Sequence, residues 1–252
     1  MKLSAVIITF NEERNIERCI KSVRSIADEI VVLDSFSTDK TEEICKKHNV
    51  NFFRYKFDGH IQQKNRATEY AKNDFVLSLD ADECLSDKLK ESIREIKKNP
   101  KYDAYKFNRL NIYCGKPIRH TSWYPDKKIR LWNRKKGKWG GTNPHDTVIL
   151  QAETSLNLIK GDLIHYSYES IEEHITQTNK FTTISAKELF EKGKKSNNLI
   201  IFVKTIGSFV KEFILKQAFL GGFYGITVAY INTFSVFLKY SKLRTLIKDL
   251  EK

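Results

Sequence analysis

A chain of 252 residues, 40% hydrophobic and 30% charged, has room for one well-filled core plus an appendage and little more. Its net charge of +13 suits phosphorylated substrates, anionic lipid or nucleic acid, and charge alone does not choose among them. Cys19, Cys45, Cys84 and Cys114 form no CxxC pair, which argues against a zinc site or a dithiol couple and for reduced, mostly buried thiols in a cytosolic compartment.

Residues 3–10 are an apolar run that enters Asn11-Glu12-Glu13-Arg14 without a small-residue cleavage site, so they read as a first strand rather than a signal peptide. Ile16, Cys19, Ile20, Val23 and Ile26 then have helical spacing. Residues 30–33 form a second strand ending at Asp34, and Asp39 with Glu42 has the spacing of a capping box before a second helix. Residues 50–55 read as a strand, 61–71 as a helix, and 75–79 as a strand that stops at a carboxylate cluster. Strands alternating with helices predict right-handed crossovers and a mostly parallel sheet. A further amphipathic helix carries Leu85, Leu89, Ile93 and Ile96 and ends near Asn99-Pro100.

Beyond residue 100 the texture changes. Residues 102–113 and 128–132 alternate apolar and polar side chains, as half-exposed antiparallel strands do. A loop is expected around residues 140–144, and Ser170 with Glu173 caps a long helix reaching about Lys192. The domain reading is a catalytic domain over 1–195, with a nucleotide-sugar half (1–100) and an acceptor half (101–195), then an apolar helical region over 196–252.

Residues 218–238 carry no charge at all, a length fit for a membrane span. Gly221, Gly222, Gly225, Asn232 and several hydroxyl residues dilute that run, and over residues 186–252 twelve Lys/Arg stand against five Asp/Glu, a formal +7. The preferred reading is an interfacial helix pair held by apolar burial and an anionic membrane surface. A true span, or a buried subdomain or homo-oligomer surface, are the alternatives.

The sharpest chemical feature is Leu79-Asp80-Ala81-Asp82-Glu83. Three carboxylates within four residues repel one another, and a cation relieves them. The carboxyl end of a parallel strand is where ligands bind in open α/β sheets, and the Asp-x-Asp spacing lets both aspartates face one Mg²⁺ or Mn²⁺, ions that take hard oxygen ligands and bridge phosphates. A solvated helix start is the plainer reading. Asp34 stands directly after a strand, where a carboxylate can accept hydrogen bonds from a base or ribose. Lys64 and Asn65 offer groups to a phosphate and a sugar hydroxyl. Trp123-Tyr124-Pro125-Asp126 and Trp139-Gly140-Gly141 bring aromatic faces that suit a glycan. His145-Asp146 supplies a candidate general base. His165 is a lone histidine on an apolar strand. Neither GxGxxG after the first strand nor GxxxxGK[ST] occurs, which removes the phosphate cradles of dinucleotide and P-loop enzymes. Nucleic acid is not expected as a partner, because the carboxylate cluster has no use there. A nucleotidyltransferase of similar fold stays open as an alternative.

Ile7-Ile8-Thr9-Phe10-Asn11-Glu12, Val31-Val32-Leu33-Asp34-Ser35 with Ser37-Thr38-Asp39, Gln63-Lys64-Asn65 and Leu79-Asp80-Ala81-Asp82-Glu83 resemble the ordered motifs of family 2 glycosyltransferases. The run Arg119-His120-Thr121-Ser122-Trp123-Tyr124-Pro125-Asp126, the Trp139-Gly140-Gly141 and Pro144-His145-Asp146 segments and Leu238-Lys239-Tyr240-Ser241-Lys242-Leu243 resemble the branch of lipopolysaccharide-core β-glucosyltransferases. The resemblance implies an α/β GT-A (nucleotide-diphospho-sugar transferase) fold, a divalent metal (Mn²⁺ or Mg²⁺) and inversion at the anomeric carbon. It also implies a UDP-hexose donor, glucose favoured, a glycolipid acceptor of the lipopolysaccharide core (a polyprenyl-linked or capsular precursor being the alternative), and peripheral attachment to the inner face of the cytoplasmic membrane. By position, Thr9, Asn11, Glu12, Asp34, Lys64, Asn65 and Asp80 would contact the nucleotide sugar, and Asp82, Asp80 and His165 the metal. Asp146 would be the base, and Trp123, Tyr124, Asp126, Trp139 and His145 would meet the acceptor. The chain departs from the family pattern at Phe36, where a small residue is common, and at Asp146, where the branch more often has Glu.

Overall fold

The apolar runs become strands and the amphipathic segments pack over them in a computed structural model that describes residues 1–142 and 145–250. Asn143 and Pro144, on which part of the expected 140–144 loop falls, lie outside the described residues, as does the side chain of His145. The chain forms two compact units, one of Met1–Arg109 with Asp126–His165 and one of Leu110–Pro125 with Tyr166–Lys252.

The first unit opens with β1 (Leu3–Thr9), α1 (Ile16–Val23), β2 (Glu29–Asp34), α2 (Thr41–Lys47), β3 (Asn51–Arg54), α3 (His60–Glu69) and β4 (Phe75–Asp80). Along β1, Leu3, Ala5 and Ile7 join one apolar cluster while Val6 joins another on the opposite side. Burial on both faces is what a parallel sheet between two helical layers requires. The parallel half runs β3-β2-β1-β4. Register sets the tips: Thr9 lies beside Asp34, and Ile8 beside Asp80.

After β4 come β5 (Glu83–Leu85), α4 (Asp87–Lys98), β6 (Ala104–Tyr113), β7 (Lys116–Pro117), β8 (Asp126–Asn133), β9 (Gly137–Thr142), β10 (His145–Leu150) and β11 (Leu156–Tyr168). Here the sheet turns antiparallel: β8 pairs with β4 and β6, and β5 with β11. The expected parallel sheet is thus confined to its first four strands, because the later connections are hairpins rather than helical crossovers. The strands β9 and β10 form a separate two-stranded sheet, so Gly140, Gly141 and Thr142 belong to a strand rather than to the expected loop.

Two helix starts have the residue spacing of capping boxes, and they differ. At α5 (Ile171–Glu191), Ser170 accepts from the Glu173 N–H at 3.1 Å and Glu173 accepts from the Glu169 N–H at 2.9 Å. At α2, Asp39 accepts from the Thr41 and Glu13 N–H groups, both at 3.0 Å, while Glu42 pairs outward with Lys46 and Arg54. Asp39 therefore joins two segments instead of closing a box.

The second unit contains α5, α6 (Asn198–Phe209), a π-helical turn at Val210–Leu215, a 3₁₀ turn at Ala218–Gly221 and α7 (Gly222–Leu250). Its interior is aromatic: Trp123, Tyr168, Tyr224 and His174 gather around Tyr113, whose hydroxyl is 3.2 Å from His174 Nδ1. Burial pushes the His174 imidazole down to about 4, so it is neutral at physiological pH. Helical residues Ala218–Asp249 are long and apolar enough to cross a membrane, yet α6 and α7 also pack on each other and leave Leu199, Phe202 and Phe223 more than 60% exposed.

Gly161 shows how tightly β11 lies on α4. Its φ is +104°, and a Cβ there would stand 2.3 Å from the Leu89 N and 2.5 Å from its Cα. Gly161→Ala should therefore cost about 2 kcal/mol or more, read as a lowered Tm and a reduced urea midpoint with unchanged m-value.

Candidate active site

The strands β1, β2 and β4 end side by side at one edge of the first unit, and the chemistry-bearing residues stand on those ends. Asp34 is fully buried, accepting from the Ser37 N–H at 2.9 Å and from the Ser37 hydroxyl, with Arg54 Nε 3.7 Å away. The neighbouring Thr9 hydroxyl is buried with no hydrogen-bond partner among the described residues. Asn11 has φ +54°; its N–H donates to Ser37 Oγ at 2.8 Å and its Oδ1 accepts from the Thr38 N–H at 2.8 Å. The loop between them turns at Phe36 with φ +64° and a half-exposed ring, a conformation that an L-residue adopts at some cost.

At the end of β4 the carboxylates are sorted by their partners. Asp80 faces Lys64 Nζ at 3.0 Å and Arg130 at 3.1 Å. Arg130 continues to the buried Glu83 at 2.8 Å, and Glu83 accepts from the Asp80 N–H at 3.0 Å. Lys64 continues to Asp146 on β10 at 2.7 Å. On the other side Arg109 stands 3.9 Å from Glu83 and 2.8 Å from Asp126. The result is a chain of alternating charge, Asp126-Arg109-Glu83-Arg130-Asp80-Lys64-Asp146. Burial alone would raise the Asp80 pKa, but the charges of Lys64 and Arg130 outweigh it and hold the carboxyl well below its usual range.

Asp82 stands apart from this chain. Its Oδ2 is 3.1 Å from His165 Nε2, while its buried Oδ1 has no hydrogen-bond partner among the described residues. Glu12 shares the same electrostatic field: burial raises its pKa and the charges of Asp82, Asp39 and Asp80 add to the effect, against a hydrogen bond from Asn15. An unpartnered carboxylate oxygen beside an imidazole, amid mutually repelling carboxylates, fits a hard divalent cation. Among the described residues no three His, Cys, Asp or Glu side chains converge as a complete metal cage, so phosphate or water oxygens would have to fill the remaining positions. Both oxygens of Asp80 face cations, so the structure offers a metal Asp82 and His165 rather than the expected Asp80.

Other expected residues take different places. The Asn65 amide is engaged with the Trp139 backbone, at 3.0 Å to its carbonyl and 2.9 Å from its N–H, so it straps β9 to α3 instead of presenting itself to a sugar hydroxyl. Trp139, expected to offer its face to a glycan, is buried beneath the Lys64 ammonium (4.5 Å) and the Arg130 guanidinium (5.1 Å). Those contacts are cation–π interactions in a desolvated place. Asp126 is taken up by Arg109 and by Lys128 at 3.2 Å. Trp123 and Tyr124 belong to the second unit. Arg130 was missed by sequence reasoning; its one signal is a cation between the apolar residues Ile129 and Leu131 on a strand facing the carboxylate cluster.

A parallel half-sheet whose tips carry Asp34, Asp80 and Asp82, extended by antiparallel strands, is the GT-A class of α/β fold. Residues 4–152 match the family described as "Glycosyl transferase family 2". The chain is 35% identical over 255 residues to an uncharacterized glycosyltransferase of Rickettsia typhi, covering 97% of this chain and 87% of that one. It is 28% identical over 202 residues to the lipopolysaccharide core biosynthesis glycosyltransferase LpsC of Rhizobium meliloti, covering 77% and 74%. Among solved structures, S. aureus TarS in complex with UDP-GlcNAc aligns with 100% of this chain and 92% of its own at a TM-score of 0.46 and 15% identity. The chain belongs to the family 2 glycosyltransferases and is a transferase that uses a nucleotide-sugar donor.

Because the folded-state pKa of Asp80 is depressed, its pairing contributes stability above the unfolded value of about 3.9 and loses it as pH falls through the folded value. Arg130→Gln leaves Glu83 and Asp80 short of a cation. It should cost about 3–5 kcal/mol at neutral pH and move acid unfolding to higher pH, measured by urea melts and by circular dichroism during acid titration.

Proposed function

We propose that this chain transfers a hexose, preferentially glucose from UDP-glucose, to the core of a lipopolysaccharide or lipooligosaccharide acceptor with inversion at the anomeric carbon. The observation that carries the reading is the orphaned carboxylate oxygen of Asp82 beside His165, next to the alternating charges at the end of β4. The likeness to a chain named for lipopolysaccharide core biosynthesis supports the acceptor class.

In this reading Thr9, with its free buried hydroxyl, and Asp34 receive the nucleoside, joined by Asn11, whose backbone and amide hold the Ser37–Thr38 turn beside it. A Mn²⁺ or Mg²⁺ ion held by Asp82 and His165 would neutralise charge gathering on the leaving nucleoside diphosphate. Lys64, already shared between Asp80 and Asp146, can turn its ammonium toward donor phosphate. That loosens its 2.7 Å pair with Asp146 and leaves this carboxylate free to accept a proton. The acceptor oxygen then bonds to the anomeric carbon as the bond to the diphosphate breaks, and its proton passes to Asp146. The acceptor is a glycolipid, which calls for an enzyme at the membrane. The exposed apolar helices of the second unit and the formal +7 over residues 186–252 support peripheral attachment to an anionic cytoplasmic face.

A donor panel of UDP-glucose, UDP-galactose and their N-acetyl analogues, scored by hydrolysis and thermal shift with Mn²⁺, tests the donor; the greatest turnover is expected with UDP-glucose. Asp82→Asn should abolish metal-dependent transfer with the circular dichroism spectrum unchanged, and full retained activity would remove the metal assignment. Asp146→Asn should lower kcat by about 10²–10⁴-fold while donor binding persists.

A further inference from the structure

The second unit holds a cavity of about 430 Å³ whose lining includes none of the residues assigned above to the transfer reaction. Lys116, Arg119 and His120 form one wall, and Leu220, Gly221 and Phe223 another. Lys116 is delivered by a tight hairpin between β6 and β7, in which Cys114 and Gly115 both adopt positive φ, +48° and +76°. Such a two-residue turn of left-handed conformations fixes the direction of the strand that follows. Gly221 closes the gap from the other side: a Cβ added there would lie 3.8 Å from the His120 Cβ.

Both walls are braced. The buried Glu212 accepts from the Ser122 N–H at 2.9 Å, and Lys216 Nζ donates to the Tyr124 carbonyl at 3.2 Å. These contacts tie the segment carrying Arg119 and His120 to the π-helical turn and the helix-to-helix corner that follows. At that corner Gln217 turns left-handed at φ +54°, and the short 3₁₀ turn leaves Phe219, Leu220 and Phe223 exposed at 54%, 57% and 67%. Of the described residues lining the cavity, none is acidic and three are basic.

We propose that this cavity seats the phosphate head group of an anionic membrane lipid, with Lys116, Arg119 and His120 as its donors and with Leu220 and Phe223 entering the apolar layer beside it. The cationic wall and the apolar corner are complementary to the two parts of one amphiphile. A soluble anion would satisfy the first and leave three large apolar side chains in water, whereas a bilayer buries them. Lys116 and Arg119 each add an attraction of the size that basic residues gain near an anionic leaflet, about fivefold in affinity apiece. This rests on reading the second unit as membrane-attached, and it names the contact that would make attachment selective for anionic lipid.

The test is co-sedimentation of the full chain with vesicles of phosphatidylcholine alone or of phosphatidylcholine with phosphatidylglycerol. Wild type should prefer the phosphatidylglycerol vesicles, and Lys116→Gln with Arg119→Gln should weaken that binding on the order of 30-fold with little change on neutral vesicles. The charge-preserving pair Lys116→Arg with Arg119→Lys should bind as wild type does, which separates lost charge from lost folding. Unchanged binding by the glutamine pair, or equal loss by the charge-preserving pair, overturns the lipid site. Wild type that binds neither vesicle type instead removes the membrane reading itself.

Discussion

Asp80 ends β4 and Glu83, three residues on, opens β5 with a side chain that has no exposed surface. Two carboxylates so placed are tolerable only because Lys64 and Arg130 lie between and beside them. Each cation is shared by two acids, and the members of the array come from different elements: Lys64 from α3, Arg130 from β8, Asp146 from β10. Trp139 lies against both cations and keeps water away from their inner side. Desolvation strengthens every attraction in such an array and also makes any missing member expensive. The remainder of the site follows from that sorting. With Asp80 neutralised from within, Asp82 is the carboxylate left outside the chain of charges, and Glu12 feels its field.

Much of this is legible in the chain itself. A polar cluster closing an apolar run is conspicuous, so residue order alone assigns Asp34 and the Asp80–Glu83 group to strand ends, and the alternation of strands and helices leads to the parallel half-sheet. What escapes is whatever depends on pairing between distant segments. Arg130 sits in a strand whose alternating texture gives no reason to single it out, and only the β4–β8 register brings it to the carboxylates. Trp139 resembles a stacking platform because its neighbours are glycines, but its ring lies on the buried face of β9, covered by Lys64 and Arg130. The pairing of Asn65 with the Trp139 backbone is equally invisible in a local reading.

The second unit is harder to read for a different reason. An uncharged run of span length is compatible with lipid, with a core and with a partner helix, since each rewards apolar side chains. Folded, the run is interrupted at Gly222, where one helical path ends in a 3₁₀ turn and the long α7 begins. Its neighbour α6 leaves no residue fully buried, which is unusual for a helix so apolar. Aromatic packing around Tyr113 and His174, joined by Val228 of α7, supplies the interior of this unit.

The alternating charges also bear on the order in which the first unit can assemble. Lys64 and Asp80 are 16 residues apart, Arg130 and Asp80 are 50, and Lys64 and Asp146 are 82. The βαβ portion can gather locally, but its terminal carboxylates cannot leave water until β8 and β10 have returned from far along the chain. Loop closure over such separations is slow compared with helix or hairpin formation. An acidic edge that stays hydrated until its cations arrive keeps the half-sheet from sealing early on a wrong strand, so the same charges that shape the finished site act beforehand as a proofreading device for strand choice.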